Sequence, residues 1–450
     1  MKFEIDAGAK KIIDILKCNG YSAYAVGGCI RDLIMGVPPH DWDICTSATP
    51  NDMLKAFKGY KIIETGLKHG TVTIMLDGNA YECTTYRIDG NYSDKQPSAG
   101  IEFAPNLKED LIRRDFTINA MAYNDDEGLV DPSGGQNDIK KAIIRCVGSP
   151  SERLSEDALR IMRALRFSAK YGFSIDPATK ETMLNMADKL KSVSAERLNS
   201  ELCKIISSSY GADVLKENAD IVCTFIPEFK ASVGYDQKNP YHDFDVYTHI
   251  MNALKNCESD DLTTRLAVLF HDIGKPYSMQ EEDNGRRHFK GHGSVSADMT
   301  ESIMKRLRFD NETRENVVQL IFYHDAVIEP RKKQIKRWLN KIGEKQFRRI
   351  LNVRRADVRG QKTEYDKERV NKADAAESLL NEILAEEQCF SLKDLAINGK
   401  DLIELGVLPG KKIGEILNSL LSKVIDEDME NDHEALVNAA KTYIDKTTLV

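Results

Sequence analysis

The stretch Val26–Ile44, VGGCIRDLIMGVPPHDWDI, decides how the first part of this chain is read. A short apolar run ends at Val26, the glycine pair Gly27-Gly28 follows, Arg31-Asp32 opens a helix, and Asp41 and Asp43 bracket Trp42. Side chains on a strand alternate with period two, so Asp41 and Asp43 on one strand would share a face and suit a divalent ion. The glycines allow a backbone to come close to something bulky, and free N–H groups at a helix start favour phosphate. Metal beside phosphate points to nucleotide chemistry.

At 450 residues the chain is too long for one core and should hold roughly three or four domains. Its 41% hydrophobic and 30% charged residues are those of an ordinary globular protein. Residues 1–20 carry no charged-then-apolar leader and no run is apolar enough to span a bilayer, so a cytoplasmic protein with no membrane partner is expected. Nine cysteines without a CxxC pair read as reduced thiols, which argues against a zinc-finger or disulfide framework. The net charge of −8 does not suit a nucleic-acid binder, but Arg331–Arg355 concentrates eleven Lys and Arg against the single acid Glu344. That run is either a phosphate-neutralising patch or a solvated helix face.

Outward from the opening stretch, Asp6–Cys18 has helical spacing and a second helix is expected near Pro50–Phe57. Thr71–Met75 and Tyr81–Arg87 read as strands joined by a hairpin at Asp77-Gly78. Glu82 on the return strand is either a third carboxylate beside Asp41 and Asp43 or an exposed strand acid. Residues 89–100 form a polar loop, and RRDFTINAMAYN (Arg113–Asn124) leads through a turn at DPSGG (Asp131–Gly135) to the end of a first domain near residue 148. The expected class is α+β, an α/β head with a small mixed or antiparallel sheet followed by helices only.

From Ser151 the period is helical. Ala158, Ile161, Met162, Leu165 and Ala169 make one apolar stripe, and Asp157, Arg160, Arg163 and Arg166, spaced by three, occupy an arc away from it. A surface salt-bridge ladder is the ordinary account of such a row. SAERLNSELCKII begins with a cap-like Ser194. Six of the nine histidines fall between His242 and His324, among them the pairs His271-Asp272 and His324-Asp325, a residue mix that suits a transition metal or magnesium.

Magnesium binds through few carboxylates plus substrate phosphates, so a nucleoside triphosphate would complete a site at Asp41 and Asp43, with Gly28 and Arg31 beside its phosphates. Two ions there would favour in-line displacement of pyrophosphate by a hydroxyl. Aspartate only accepts hydrogen bonds and arginine only donates. Cytosine and adenine both offer an amino donor beside a ring-nitrogen acceptor, so an Asp157/Arg160 pair would accept C and A and reject U and G.

With GGCIRD (27–32), DWD (41–43), RRDFTINAMAY (113–123), DPSGG (131–135), EDALRIMRALRF (156–167) and SAERL (194–198) in that order, the chain resembles the class II tRNA nucleotidyltransferases, the CCA-adding enzymes that share a catalytic plan with bacterial poly(A) polymerases. The ordered set covers residues 1 to 220, and NGKDLIELGVLPGKKIG (398–414) resembles the family's C-terminal region. The resemblance implies that Asp41 and Asp43 are the catalytic metal carboxylates for Mg²⁺; Glu82 stays beside them as a candidate catalytic carboxylate on its strand position alone. It implies that Gly28, Arg31 and Arg114 contact the nucleotide, that Glu156, Asp157 and Arg160 read the base, and that Arg163 and Arg166 lie nearby on phosphate or sugar. The implied reaction is attack of the tRNA 3′ hydroxyl on the α-phosphate of CTP or ATP. Where the family loop tied to the switch to adding A reads YxDxRxP, this chain has Tyr92-Ser93-Asp94-Lys95-Gln96-Pro97. Lys95 supplies a charge there without the bidentate fork of an arginine.

The histidine cluster resembles the HD phosphohydrolase domain. That resemblance implies His249, His271, Asp272 and Asp357 as ligands of one metal, His292 and His324 as helpers for a second, and phosphoester hydrolysis as a further activity; a domain kept for packing is the alternative. The expected divisions are a head at 1–148, a helical neck at 149–235, an HD body at 236–365 and a helical tail at 366–450. The rival functions are a poly(A) polymerase on the same core and an HD phosphohydrolase whose head only senses tRNA or nucleotide. A polymerase would favour a basic C-terminal extension, whereas Asp426–Glu434 is acidic; a sensor head would have lost Asp41 and Asp43.

Overall fold

The computed structural model describes residues 2–67, 70–88, 102–238, 244–361 and 366–448. The loop at Tyr92–Pro97 and His242 fall outside the described residues. The chain divides into two compact units, Met1–Pro227 and Glu228–Val450.

The first unit opens with α1 (Ala7–Cys18), whose start is capped by Asp6 accepting from the amides of Gly8 and Ala9. The Tyr81 hydroxyl donates to the same carboxylate at 2.6 Å, tying the helix to the sheet, and Ile12, Ile13 and Leu16 are buried against it. The sheet has seven strands in the order β3-β4-β5-β2-β1-β8-β9. They are β1 (Ala23–Val26), β2 (Asp43–Thr46), β3 (Lys61–Ile63), β4 (Thr71–Leu76), β5 (Asn79–Thr85), β8 (Ala122–Asn124) and β9 (Gly128–Val130), with the ribbon β6 (Arg87–Ile88) and β7 (Glu102–Phe103) beside them. Only the pairing of β2 with β5 is parallel, so the sheet is mixed. Asp77 and Gly78 take φ of 51° and 85°, the left-handed pair that a two-residue hairpin loop needs. Helices α2 (Gly28–Ile34) and α3 (Pro50–Ala56) join the first strands, and α4 (Leu107–Ile112) and α5 (Gly135–Lys140) follow later.

Beyond the sheet, β10 (Ile143–Ile144) pairs with β11 (Ser174–Ile175), and the remainder of the unit is helical: α6 (Pro150–Glu156), α7 (Leu159–Tyr171), α8 (Pro177–Asn185), α9 (Ala195–Ile206), α10 (Gly211–Glu217) and α11 (Ala219–Phe225). The α+β expectation holds. Two local expectations do not. Asp157 is not part of a continuous helix: its backbone is extended (φ −149°, ψ 105°), it closes α6, and its carboxylate accepts the Leu159 amide at 3.0 Å, so α7 starts after it. Ser194 occupies the position before α9, but its hydroxyl caps nothing.

The second unit contains α12 (Val246–Lys255), α13 (Leu262–Phe270), the hairpin β12 (Gln280–Glu281) and β13 (Arg287–His288), α14 (His292–Arg306), α15 (Asn311–Tyr323), α16 (Lys332–Arg359) and α17 (Asp366–Ala385). Gly343, at φ 77°, interrupts α16. The last three helices, α18 (Gly399–Glu404), α19 (Lys411–Ile425) and α20 (His433–Thr448), share a small core of Leu402, Ile416, Leu420 and Leu436. Among the described residues no helix is long and apolar enough to cross a membrane. The basic run on α16 proves to be largely spent within the unit. Lys332 pairs with Glu382, Lys333 and Arg337 with Asp426, Arg348 with Glu344, Arg349 with Asp261, and Arg355 with Asp374 and Glu377. A cation already neutralised by a neighbouring acid has little left to offer a phosphate backbone.

Candidate active site and metal centre

The register of the sheet builds the first site. Parallel pairing of β2 with β5 sets Asp43 opposite Glu82. Asp41 lies in the bend before β2 rather than on the strand, so the shared-face argument does not apply to it, and its side chain is exposed. Like charges repel, and among the described residues these three carboxylates are not gathered as a close ligand group. Protein around Asp43 strips water from the carboxyl and raises it above the usual carboxylate range, although the residue keeps a solvent-facing side. Glu82 and Asp41 add to the rise and Arg114 opposes it. A carboxylate destabilised by its acidic neighbours is one that a cation would relieve, which is the fit a divalent ion requires.

Arg114 stands against the glycine turn. A β-carbon on Gly27, which has φ 79°, would lie 3.1 Å from the Arg114 Nη1, so the turn leaves room for that guanidinium. Asp110 accepts from the Arg114 Nε and Nη2 at 3.3 and 3.0 Å. Gly28 begins α2 close to Arg31. Arg31 is 6% exposed, donates to Asn119 Oδ1 at 2.6 Å, pairs with Asp32 and stacks over the Tyr171 ring at 4.9 Å.

The second half of the site is the α6–α7 junction. Arg160, 8% exposed, donates to Glu156 Oε2 at 2.6 Å and to the Arg153 carbonyl at 2.9 Å, which fixes its guanidinium. Asp157 accepts from Arg197 Nη2 at 2.6 Å, so α9 holds the carboxylate in place. Arg163 donates to Asp115 at 2.8 Å; burial alone would raise the Asp115 carboxyl, but this guanidinium outweighs it and holds the group below its usual range. Arg166 lies 2.7 Å from the buried Glu201 and over the Phe167 ring. The spaced row is thus a set of ion pairs, each to a different partner.

Sequence reasoning missed Asn119 and Arg197. Asn119 accepts from Arg31 and donates to Asp115 at 3.3 Å, linking the glycine turn to α7 through Arg163. The i,i+4 spacing of Asp115 and Asn119 was the available signal. Nothing local marks Arg197, which lies 40 residues from Asp157.

The second unit gathers a different centre. His249, His271, Asp272 and Asp357 present ligand atoms within 4.8 Å of one another, and Asp272, His292 and His324 form a second such group. Every one of these imidazoles has Nδ1 against a backbone carbonyl: His249 on Gly360 at 3.2 Å, His271 on Val268 at 2.7 Å, His292 on Phe289 at 2.7 Å and His324 on Ile321 at 2.6 Å. An Nδ1–H donated to a carbonyl leaves Nε2 as the free lone pair, the usual arrangement behind a metal-ligating histidine. The Nε2 atoms of His249 and His271 are 3.2 Å apart and those of His292 and His324 are 3.0 Å apart. Two nitrogens at about 2.1 Å from one ion would be separated by roughly 3.0–3.4 Å. Asp272 Oδ2 faces the first pair at 3.1 and 3.2 Å, and Oδ1 faces His292 at 3.2 Å, so one carboxylate spans both groups. The Lys275 ammonium lies 2.6 Å from the same buried Asp272 Oδ2. The donor set, imidazole with carboxylate, fits transition metals better than magnesium.

Close packing brings distant Asp357 into this group. A β-carbon on Gly360 would sit 2.7 Å from the Ala253 amide nitrogen, so the end of α16 lies directly on α12, carrying Asp357 to 3.0 Å from His249. Burial opposes charge on Asp272, yet His271 and Lys275 hold its carboxyl well below the usual range; Asp272 in turn pushes His271 up to about 10 against the effect of burial. His288 stays apart, paired with Glu282 at 2.6 Å. The centre opens on a cleft of about 930 Å³.

A mixed sheet that sets paired acids beside a glycine turn, followed by a helical acid–arginine junction, defines a nucleotidyltransferase. A family profile described as "Poly A polymerase head domain" matches residues 23–145, and one for tRNA nucleotidyltransferase domain 2 matches residues 291–440. The chain is 30% identical over 448 residues to the CCA-adding enzyme of Ligilactobacillus salivarius, covering 97% of this chain and 96% of that one. It is 44% identical over 213 residues to the CCA-adding enzyme of Oceanobacillus iheyensis, covering 47% of this chain and 53% of that one. The crystal structure of the Bacillus stearothermophilus CCA-adding enzyme in complex with CTP superposes with a TM-score of 0.73 at 28% identity over 98% of each chain. The chain belongs to the CCA-adding enzyme family.

Proposed function

We propose that this protein adds or repairs the 3′-terminal CCA of tRNA in the cytoplasm, using CTP and ATP with Mg²⁺. The observation that carries this reading is the pairing, in one unit, of the Asp43–Glu82 edge with a junction that fixes an acceptor, Asp157, and a donor, Arg160. Mg²⁺ at Asp41, Asp43 and Glu82 would supply charge stabilisation for the attacking hydroxyl and the departing pyrophosphate. The remaining work falls to side chains. Arg114, next to the glycine turn, neutralises the triphosphate with Arg31 behind it. The Asp157 carboxylate accepts the amino group of C or A while Arg160 donates to the adjacent ring nitrogen, and both present the wrong partner to U or G. Arg163 and Arg166 back this junction from α7. The reading assigns residues 1–148 to transfer, 149–235 to base choice, 236–365 to the histidine centre and 366–450 to a helical tail.

The test supplies CTP and ATP separately, with Mg²⁺, to tRNAs ending before CCA, after C and after CC. Incorporation of C on the first two and A on the third is expected; long A tails on unrelated RNA would establish a poly(A) polymerase instead.

A second reading is favoured by one observation, four imidazoles that all free Nε2 toward two carboxylates. We infer a centre of two transition-metal ions that hydrolyses phosphoesters. Two metal equivalents per chain by elemental analysis, lost in His271→Ala together with hydrolysis but not with nucleotide addition, is the expected result. A metal-free chain would return the domain to a packing role.

A further inference from the structure

The cleft above the histidine centre is lined by a cation, Arg354, that makes no ion pair among the described residues. Arg354 precedes Asp357 by three residues on α16, which puts both on one helix face, and both line the cleft together with Asp272, Lys275, His292 and His324. Its neighbours on the helix, Arg348, Arg349 and Arg355, are each bound to acids. Arg354 is half-buried and donates from Nη1 to the Ala326 carbonyl; among the described residues no carboxylate lies within ion-pair distance of it, and Asp357 and Asp325 attract it only from farther off. Guanidinium carries five donors in a planar fork, so most of this one remains free for a ligand. Lys275 is the contrasting case: its ammonium is 2.6 Å from Asp272 and 3.0 Å from Gln237 Oε1, and serves the centre rather than a substrate.

We propose that Arg354 anchors a terminal phosphate in this cleft and that the cleft takes phosphomonoesters of nucleotide size. The proposal rests on the hydrolytic reading above. Its basis is a count of oxygens. A phosphomonoester has three terminal oxygens, enough for two ions and one guanidinium together, whereas a phosphodiester has two and leaves the arginine nothing to hold. The about 930 Å³ of the cleft matches a nucleotide-sized ligand. Glu281, Glu282, Asp325 and Glu329 also line it and are balanced by Lys290, Arg369 and Lys372, so the rim carries mixed charge. In the reaction a water oxygen bonds to phosphorus and the ester P–O bond breaks. Its electron pair and the proton released by water go to the leaving alcohol, so no redox partner is needed.

The test uses the full chain loaded with Mn²⁺. Calorimetric titration with inorganic phosphate is compared with dimethyl phosphate for the parent, Arg354→Ala and Arg354→Lys, alongside metal content and melting temperature. Arg354→Ala should keep its metal and its melting temperature, lose about 10- to 100-fold in phosphate affinity, and leave dimethyl phosphate binding unchanged; Arg354→Lys should recover part of the loss. Unchanged phosphate affinity in a metal-loaded Arg354→Ala overturns the anchor alone, as does an equal loss for both ligands. Failure of the parent to take up metal overturns the hydrolytic reading and the anchor with it. Turnover of 3′-CMP, or of an oligoribonucleotide ending in a 3′-phosphate, supports the class and tells a free nucleotide from an RNA end. Turnover of a diester with neither monoester contradicts it.

Discussion

Replacing Asp157 and Arg160 together with alanine should remove base choice without removing the fold. In the parent, UTP offers a carbonyl to the Asp157 carboxylate and an N–H to the Arg160 guanidinium, so both positions lose a charge-assisted hydrogen bond. At about 1.5–3 kcal/mol each, the two losses amount to about 3–6 kcal/mol, or roughly 10²- to 10⁴-fold against UTP. The change leaves the Arg153 carbonyl and the Leu159 amide without these partners, so a modest fall in melting temperature is expected with the fold kept. Glu156 keeps Arg153 at 2.8 Å when Arg160 goes, and Arg197, 38% exposed at its side chain, returns to solvent when Asp157 goes. The assay is single-nucleotide extension of a tRNA ending in C with each of the four triphosphates, read as ratios of kcat/KM, with melting temperature as the folding control. The expected ratio of CTP to UTP falls to within about tenfold, consistent with loss of both hydrogen bonds. A folded double variant that still refuses UTP and GTP would refute the idea that these side chains act as the template.

Other expectations follow from the same geometry. Asp43→Asn should cut incorporation by roughly thousandfold, yet leave the melting temperature at pH 7 equal or higher. The folded carboxyl is raised by burial and by Glu82, so its ionised form is penalised at neutral pH and the penalty disappears as pH falls through the folded value. Asp115→Ala strands the Arg163 guanidinium; because Arg163 is 34% exposed the loss should be about 3 kcal/mol at most, read by urea denaturation, and should grow smaller toward low pH as the parent carboxylate itself becomes protonated. Protonated His271 adds stability to the metal-free chain that is complete below its ordinary value of 6.5 and is lost as pH rises through about 10. A metal at His271 Nε2 must displace that proton, so calorimetry in buffers of different ionisation heat should show proton release on metal uptake and weaker uptake as pH falls.

Patterns confined to neighbouring residues were legible in the sequence. The Asp77-Gly78 hairpin and the apolar stripe of α7 follow from short-range spacing, and the histidine centre from its concentration of one residue type; that the small sheet is mixed rather than antiparallel rests on the distant pairing of Asp43 with Glu82. What stayed hidden depends on packing between distant segments. The three-residue spacing of Asp157, Arg160, Arg163 and Arg166 runs across the break before α7, so periodicity alone could not place Asp157 outside the helix. Asp41 and Asp43 looked equivalent until pairing showed that β2 begins at Asp43. For the basic run at Arg331–Arg355 a phosphate patch and a solvated face both stayed open, because its acidic partners on α17 and at the end of α19 lie far along the chain.

The central claim is tested most directly by sequencing the product ends after a tRNA lacking its terminal trinucleotide is given CTP, ATP and Mg²⁺ together. Addition that proceeds to C-C-A and stops there, and that disappears in Asp43→Asn, is the predicted result; a homopolymeric A tail, or no addition by the folded parent protein, would contradict it.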